Sequence, residues 1–165
     1  MPARVWLIIG ILGLNICLLS GQDSLWEQHL AKARKLRAEA RYKEAETEYL
    51  AAVETAQAFG ADNPRMARSL NNLAALYQDQ GRYADAETLY RRATAIWERS
   101  PGSEEDLAAG LNNLGVVERA LGRHKDAESL YLRAMAIREK SLPPDDPSWL
   151  AAGSRKQSWA TPLGV

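Results

Sequence analysis

The sequence has little cysteine, no net charge, and few glycines, prolines and aromatic residues. A single cysteine among 165 residues excludes a disulfide scaffold. Basic and acidic residues are equal at 21 each, and this balance disfavours a dedicated nucleic-acid binder. At 46% apolar residues the chain is too hydrophobic to be disordered. Only 11 glycines and 7 prolines accompany abundant alanine, leucine, arginine and glutamate, so we predict an all-α fold.

The first 21 residues differ from the rest of the chain. One basic residue, Arg4, precedes fifteen uncharged residues at 5–19, and the small residues Ser20 and Gly21 follow. This order predicts a secretory signal peptide at 1–21, and with it a periplasmic or secreted protein. The alternative is an uncleaved membrane anchor, because two bulky leucines end the apolar run where a cleavage site prefers small residues.

The lone cysteine, Cys17, lies inside this N-terminal segment. We do not expect Cys17 to carry a lipid, because the residue before it is Ile16, whereas the modified cysteine of bacterial lipoproteins follows a small residue. Removal of the segment would leave no thiol for a disulfide, a nucleophile or a thiolate metal site. The exported domain is then expected to be held by packing alone.

Most of the remaining chain repeats with a step of 41 residues. Residues 81–99 and 122–140 are identical at twelve of nineteen positions, and 40–52 shares the pattern. Upstream, the sequence Leu-Asn-Asn-Leu stands at 70–73 and again at 111–114. Both patterns have helical spacing, so each unit is predicted to contain two amphipathic helices. We place the units at about 24–64, 65–105 and 106–147, in a domain of 24–148 that precedes the segment 149–165.

Turn and cap residues fit this division. Gly81 and Gly122 fall between the two helices of a unit, where a positive φ is needed. The pair Asn63 and Pro64 is typical of a helix start, as are the acidic residues that follow Ser103. Helix starts are therefore predicted near 65, 106 and 147.

The second unit contains a residue pattern that is largely repeated in the third. It comprises Leu70, Asn71, Asn72, Leu73, Ala74, Tyr77, Gly81, Arg82, Tyr83, Ala86, Glu87, Leu89, Tyr90, Ala93 and Ile96. This pattern resembles the tetratricopeptide repeat, in the long-loop form similar to that of kinesin light chain. The resemblance implies an α-α superhelix of three helical hairpins plus a degenerate C-terminal helix. It also implies a non-catalytic scaffold that binds other proteins.

Three departures from the repeat carry further predictions. In the first unit, His29 and Lys32 stand where the second unit has leucines, so this helix is expected to be a solvent-facing cap. In the third unit, Glu118 replaces the aromatic Tyr77, so either the stack loosens there or the carboxylate has a partner such as Arg123. The segment 149–165 breaks the 41-residue step and is predicted to be a cap or a frayed tail.

The sequence shows no motif for catalysis, a metal or a cofactor. The two histidines, His29 and His124, have no second ligand at metal-binding spacing. Acidic residues are plentiful, but they recur at equivalent repeat positions and are typical of solvated helix faces. We therefore predict a protein that is not an enzyme and that needs no cofactor.

The resemblance implies that the first helices of the units line a concave groove. On their free face we place Glu27, Leu30, Arg34, Arg37 and Ala38 in the first unit, Arg68, Asn71, Ala75, Gln78 and Asp79 in the second, and Ala109, Asn112, Val116, Arg119 and Ala120 in the third. The resemblance implies that Asn71 and Asn112 bond an extended peptide, as an amide both donates and accepts. Their neighbours Asn72 and Asn113 are alternatives for satisfying loop backbone between units.

Charge on this face is predicted to be mildly basic. Four arginines face two carboxylates, an excess of two positive charges: Arg34, Arg37, Arg68 and Arg119 against Glu27 and Asp79. This excess predicts a partner with acidic side chains or a free carboxylate. The alternative is that these arginines are ordinary solvated surface.

The predicted function is non-catalytic binding of a partner peptide in this groove, by a protein that is exported or tethered to a membrane. The expected partner is a protein or peptide and not nucleic acid, and membrane contact is expected only through 5–19 if that segment is uncleaved. Two alternatives stay open: a structural subunit of a membrane-associated complex, or a truncated piece of a longer repeat protein fused to an enzyme.

Overall fold

The computed structural model describes the backbone of residues 3–141 and the side chains of residues 21–141. Its described backbone contains six helices and no strand, so the all-α prediction is confirmed. The helices are α1 (Ala3–Ala38), α2 (Tyr42–Gln57), α3 (Pro64–Asp79), α4 (Tyr83–Glu98), α5 (Glu104–Ala120) and α6 (His124–Ser141). The predicted degenerate helix or tail at 149–165 and the predicted helix start near 147 lie outside the described residues.

The helices pair into three hairpins, α1 with α2, α3 with α4 and α5 with α6. The second helix of each hairpin packs on the first helix of the next, α2 on α3 and α4 on α5. Neighbouring first helices also meet, because Trp26 Nε1 on α1 donates to Ser69 Oγ on α3 at 2.7 Å. The three hairpins therefore stack as a solenoid in which α1, α3 and α5 lie side by side.

The turns inside the hairpins have one geometry. Gly81 and Gly122 have φ values of 73° and 79°, as predicted, and Ala40 takes the same place in the first hairpin with φ 58°. In each turn the amide of the third residue after the first helix donates to a carbonyl five residues back, at 2.9 Å: Arg41 to Leu36, Arg82 to Tyr77 and Arg123 to Glu118. This closure fixes the angle between the two helices of a hairpin.

Small residues let the helices approach closely. Alanines 41 residues apart are buried on every second helix: Ala45 and Ala52, Ala86 and Ala93, Ala127 and Ala134. On α5, a Cβ atom at Gly115 would lie 2.7 Å from Tyr131 Cε1. A Cβ atom at Gly110 of the same helix would lie 2.7 Å from Trp97 Cζ3. Close packing within a hairpin, at Gly115, and between hairpins, at Gly110, thus both depend on a glycine that has no side chain.

The helix starts agree with the sequence within two residues. Helix α3 begins at Pro64, and Asn63 Oδ1 accepts from the Arg65 amide at 3.0 Å, as the cap prediction requires. Helix α5 begins at Glu104 with three acidic residues in its first turn. Ser103 makes no side-chain cap there, so only the acidic charge stabilises this N-terminus.

The outer face of α1 is polar, as predicted for a cap. Glu48 of α2 binds both residues that replace the leucines of the second unit: His29 Nδ1 lies 2.7 Å and Lys32 Nζ 2.6 Å from its carboxylate. These contacts with Lys32 and His29 lower the pKa of Glu48. At the two positions where the second unit has leucines, α1 therefore makes an ion-pair cluster with α2 instead of an apolar contact.

Glu118 is fully buried between the second and third hairpins. Its carboxylate accepts from Arg123 Nη1 at 2.9 Å and from Arg91 Nη2. Both guanidinium groups also contact Glu87, at 2.9 Å from Arg91 and 2.8 Å from Arg123. Burial raises the pKa of Glu87, but these hydrogen bonds outweigh it and the pKa is lowered overall. The predicted partner Arg123 is confirmed, and the alternative of a loosened stack is wrong.

The predicted signal peptide or anchor at 1–21 falls almost wholly where no side chain is described. The backbone of 3–20 is helical and continues without a break into the part of α1 that packs in the first hairpin. Within the residues whose side chains are described, no helix is long and apolar enough to cross a membrane.

Candidate binding surface

The eight residues predicted to contact a peptide all lie on α1, α3 and α5 or at their ends. We call this surface the first-helix face; it comprises Arg34, Arg37, Arg68, Asn71, Gln78, Asp79, Asn112 and Arg119. Three of the eight, Arg37, Asn71 and Gln78, are half-buried, and the other five are exposed. Because the first helices are neighbours, the fold brings residues from three hairpins onto one surface.

The two predicted asparagines differ in their surroundings. Asn71 Oδ1 accepts from Asn113 Nδ2 at 3.4 Å, a long hydrogen bond between α5 and α3. Asn112 is exposed, and its side chain makes no hydrogen bond within residues 21–141. The Asn71 amide therefore keeps its N–H donors for a ligand, and the Asn112 amide keeps both donors and its acceptor.

Arg37 and Asp79 form an ion pair that joins the first two hairpins, with Nε to Oδ2 at 2.5 Å. The hydrogen bond to Asp79 raises the pKa of Arg37. A cavity of about 250 Å³ opens beside this pair, lined also by Arg34, Ala38 and Tyr49. Two of the predicted charges therefore neutralise each other, while Arg34 has no hydrogen bond or ion pair among the described residues.

The floor of the same cavity is Tyr49, which is fully buried. Burial raises the pKa of its hydroxyl, and the charge of Arg37 opposes that shift. The Tyr49 hydroxyl lies next to the Arg37 guanidinium and donates to no acceptor within the described structure. Because this hydroxyl is buried beneath the cavity, the groups that a ligand can reach there are the guanidinium groups of Arg34 and Arg37.

Gln78 occupies the position that Arg37 has in the first hairpin, 41 residues earlier. Its Oε1 accepts from the Tyr90 hydroxyl at 3.2 Å. Burial raises the pKa of Tyr90, so this hydroxyl stays protonated and remains a donor. Gln78 thus offers a ligand its amide N–H groups but not an unshared oxygen.

The basic character of the face is uneven. Arg68 lies in a cavity of about 230 Å³ with two carboxylates, Glu27 and Asp106, which offset its charge. Arg119 lies with Asn112 in a larger cavity of about 590 Å³ against α6. The excess of positive charge therefore lies at the cavity that Arg34 and Arg37 line and at the cavity that holds Arg119, where Arg138 and Glu128 also lie.

Two details of the predicted face are wrong. Leu30 is fully buried in the core and cannot contact a ligand. Leu30 stands at the repeat position of Asn71. Asn71 is half-buried on the side of the next first helix, whereas the same position in the first hairpin is fully buried. The loop-bonding alternative also fails, because Asn72 Nδ2 donates to the Arg68 carbonyl of its own helix at 2.8 Å and Asn113 donates to Asn71.

Sequence reasoning missed the contribution of the second helices. Tyr49 and Tyr90 reach the first-helix face from α2 and α4, and both are buried with only their hydroxyls near the polar groups above. The 41-residue step aligns them with each other and with Tyr131, and this recurrence was the available signal. A tyrosine kept at a packed position offers both apolar area and a hydroxyl.

No group of three potential metal ligands occurs in the described part of the chain. The first-helix face carries amides, guanidinium groups and the carboxylate of Asp79. Such groups hold a peptide backbone and a carboxylate by hydrogen bonds and charge.

Sequence and structure comparisons agree on one family. The sequence model described as "Tetratricopeptide repeat" matches residues 28–99 and 65–140, which is more than half of the chain. Among curated proteins, no sequence matches significantly.

Several solved structures are similar to the solenoid. BtubC (BKLC) from P. vanneervenii is 29% identical, with a TM-score of 0.68 over 73% of this chain and 50% of that one. A kinesin light chain-type protein of Podospora anserina with nearly identical repeats is 26% identical, with a TM-score of 0.63 over 76% of this chain and 60% of that one. The repeat domain of Arabidopsis FLU shares the fold, at 21% identity and a TM-score of 0.64, over 72% of this chain and 98% of that one. This chain thus spans 50% of the length of the BtubC chain and 60% of the length of the Podospora anserina chain.

Proposed function

Because the chain belongs to the tetratricopeptide repeat family, whose fold is generally a non-catalytic scaffold for protein–protein interaction, we propose that its first-helix face binds a peptide segment of a partner protein. The observation that carries this proposal is the pair Asn71 and Asn112. Both stand on neighbouring first helices at one repeat position, and both have side-chain N–H donors without partners among the described residues.

An extended peptide presents a carbonyl and an amide at every residue, and these need partners when water is displaced. The N–H groups of Asn71 donate to carbonyls, and the Asn112 amide both donates and accepts. Two such contacts along the peptide set its direction and register without reading its side chains.

The cavity beside Arg37 supports a preference for a carboxylate. Arg34 has no ion-pair partner among the described residues, and Arg37 pairs with a single carboxylate, that of Asp79. We propose that an acidic side chain or a C-terminal carboxylate of the peptide enters here and bonds the guanidinium groups of Arg34 and Arg37. Charge-assisted hydrogen bonds in the cavity beside Arg37 would add specificity to the contacts with the peptide backbone.

A binding experiment tests the proposal. A random peptide library with free carboxyl termini is selected on the purified full chain, and dissociation constants of the enriched peptides are measured by fluorescence anisotropy. The double variant Asn71→Ala and Asn112→Ala loses two amide contacts, each worth about 0.5–1.5 kcal/mol. The expected weakening is roughly 5- to 150-fold.

The matched control is Asn72→Ala, because Asn72 is adjacent in sequence but bonds its own helix. It should leave peptide affinity within about twofold. Helical circular dichroism must be retained in all variants. Equal affinities of the double variant and the wild-type chain would sink the proposal.

We also propose that residues 1–21 are a secretory signal and that the mature protein is periplasmic or secreted. The support is the composition of the segment: one basic residue, a charge-free run at 5–19 and two small residues. Intact mass spectrometry of the protein expressed in an export-competent host tests this. A mature N-terminus near Gly21 or Gln22 is expected, and a full-length mass in the membrane fraction would establish the anchor instead.

A further inference from the structure

Asp79 departs from the repeat within the first-helix face. It is the last residue of α3, and the 41-residue step aligns it with two alanines, Ala38 and Ala120. A carboxylate at the C-terminal end of a helix lies at the negative pole of the helix dipole, which disfavours it there. The repeat and the helix therefore do not account for this aspartate, and its role depends on what it contacts.

The partner of Asp79 is the guanidinium group of Arg37 on the neighbouring first helix. Asp79 Oδ2 accepts from Arg37 Nε at 2.5 Å, and the two side chains are only 33% and 31% exposed, so water screens their charges incompletely. The two Nη groups of Arg37 make no hydrogen bond with a carboxylate among residues 21–141. Asp79 thus offsets the charge of Arg37 but leaves its Nη groups for a ligand.

Three charges surround the cavity of about 250 Å³ beside this pair. Its charged lining residues are Arg34, Arg37 and Asp79, so two guanidinium groups and one carboxylate give it a net charge of +1. The same three charges act on the Tyr49 hydroxyl beneath the cavity. Burial raises the pKa of this hydroxyl, the two arginines oppose the rise, and the aspartate adds to it. The three charged groups therefore share one small, partly dry space.

We propose that Asp79 is a specificity-determining residue: it matches this cavity to a ligand group with one negative charge and removes the advantage that a doubly charged group would otherwise have. The inference rests on the proposed binding of a peptide carboxylate by Arg34 and Arg37. One carboxylate balances the net charge of the cavity and engages both guanidinium groups. The second charge of a phosphoryl group or a malonate-type side chain finds no free guanidinium and lies close to the Asp79 carboxylate, which repels it.

Removal of Asp79 changes this balance in two ways. Asp79→Ala gives α3 the alanine that the other two units carry, and it raises the net charge of the cavity from +1 to +2. It also leaves the Arg37 Nε–H group without its acceptor. A second negative charge on the ligand then has both a hydrogen-bond donor and a stronger attraction. The variant is therefore expected to prefer doubly charged ligand groups.

Peptide binding to the full chain measures this preference. The probe is a peptide enriched in the library selection, synthesised with an amidated C-terminus and one glutamate as its only acidic residue. A second peptide carries γ-carboxyglutamate at that position, which adds one carboxylate. Dissociation constants of both peptides are measured by fluorescence anisotropy at about 50 mM salt, where charges are weakly screened. The proteins are the wild-type chain, Asp79→Ala and Asp79→Asn, which removes the charge but keeps the shape of the side chain.

In the wild-type chain the two peptides should bind within about twofold of each other. In both Asp79 variants, the γ-carboxyglutamate peptide should bind roughly 3- to 10-fold tighter than the glutamate peptide. The matched control is Asp85→Ala, because Asp85 Oδ2 also accepts from an arginine Nε, that of Arg82 at 2.9 Å, but Asp85 does not line the cavity. This control should keep the wild-type ratio although the chain loses the same charge.

The proposal is overturned if the ratio of the two dissociation constants is the same in the wild-type chain and in both Asp79 variants. An ion pair that only joined the hairpins would give that result, since its loss would weaken both peptides equally. A third peptide, with glutamine in place of the glutamate, tests the proposed function separately. If it binds the wild-type chain as tightly as the glutamate peptide, the carboxylate preference itself is wrong, and the proposal for Asp79 fails with it.

Discussion

The buried carboxylate of Glu118 provides the sharpest test of how the hairpins are joined. Between the first two hairpins, the Tyr77 hydroxyl donates to Glu46 at 2.8 Å, and Arg82 stacks 3.7 Å from the tyrosine ring. Between the second and third, Glu118 stands in place of the tyrosine, and an additional arginine, Arg91, reaches it. The equivalent of Arg91 in the first hairpin is Leu50. Glu118 and Arg91 are therefore a coupled pair that replaces Tyr77 and Leu50.

We predict that Arg91→Leu destabilises the protein by about 1–2 kcal/mol. A hydrogen bond to a buried charge contributes about 1.5–3 kcal/mol, and the exposed half of the Arg91 side chain reduces that value. The Arg91 side chain is 55% exposed, so water already solvates part of it. The Glu118 side chain is 0% exposed, so little water reaches its carboxylate to replace the lost hydrogen bond. In a Glu118→Tyr background, the same Arg91→Leu substitution should cost no more than about 0.5 kcal/mol, the value of the remaining surface contact with Glu87, because the tyrosine needs no second guanidinium.

Urea unfolding followed by circular dichroism measures both values and gives a double-mutant cycle with an expected coupling of about 1–2 kcal/mol. Arg92→Leu is the matched control, since Arg92 is exposed and makes no ion pair within the described residues. It should change stability by less than about 0.5 kcal/mol. The reasoning is refuted if Arg91→Leu behaves like Arg92→Leu, or if its cost is the same with Glu118 and with tyrosine.

Three further predictions concern packing, capping and pH. Gly110→Ala should cost about 1–3 kcal/mol in urea unfolding, because the new Cβ would lie 2.7 Å from the buried Trp97 ring. Asn63→Ala removes the side-chain cap of α3 and should cost about 1 kcal/mol, which a lower thermal midpoint would show. Lys32 and His29 lower the pKa of Glu48 in the folded state. The contribution of Glu48 to stability is therefore fully present above its unfolded pKa of about 4.3, and it is lost as the pH falls through the folded-state pKa. Glu48→Gln should therefore flatten the loss of stability on acidification below about pH 4.3, measured as thermal midpoint against pH, and an unchanged slope would contradict this.

The repeat step predicted the fold because it fixes which residues share an environment. Two helices per unit, the glycine turns at 81 and 122, and the helix starts followed from residues that recur every 41 positions. The partner of Glu118 was predicted for the same reason, since Arg123 follows it at turn distance in the sequence. Local sequence patterns that repeat are thus sufficient to predict the helices and turns of the backbone.

The sequence failed where the number of neighbours changes along the stack. Leu30 was placed on the first-helix face by its step from Asn71, yet the end hairpin buries that position. The contact of Arg91 with Glu118 was not predicted, because it crosses between hairpins and the counterparts of Arg91 in the other units are leucines. Gly110 was overlooked because its contact is with the preceding hairpin. Each error concerns a contact between hairpins, which a pattern within one repeat does not encode.

The central claim is that the first-helix face is where a partner peptide binds. Side-chain amide resonances of asparagine report on this directly in a 15N–1H spectrum of the full chain titrated with a selected acidic peptide. The resonances of Asn71 and Asn112 should shift with the peptide while those of Asn72, which bonds its own helix, stay in place. Saturable binding that leaves both Asn71 and Asn112 unshifted, with changes confined to α2, α4 or α6, would contradict the account.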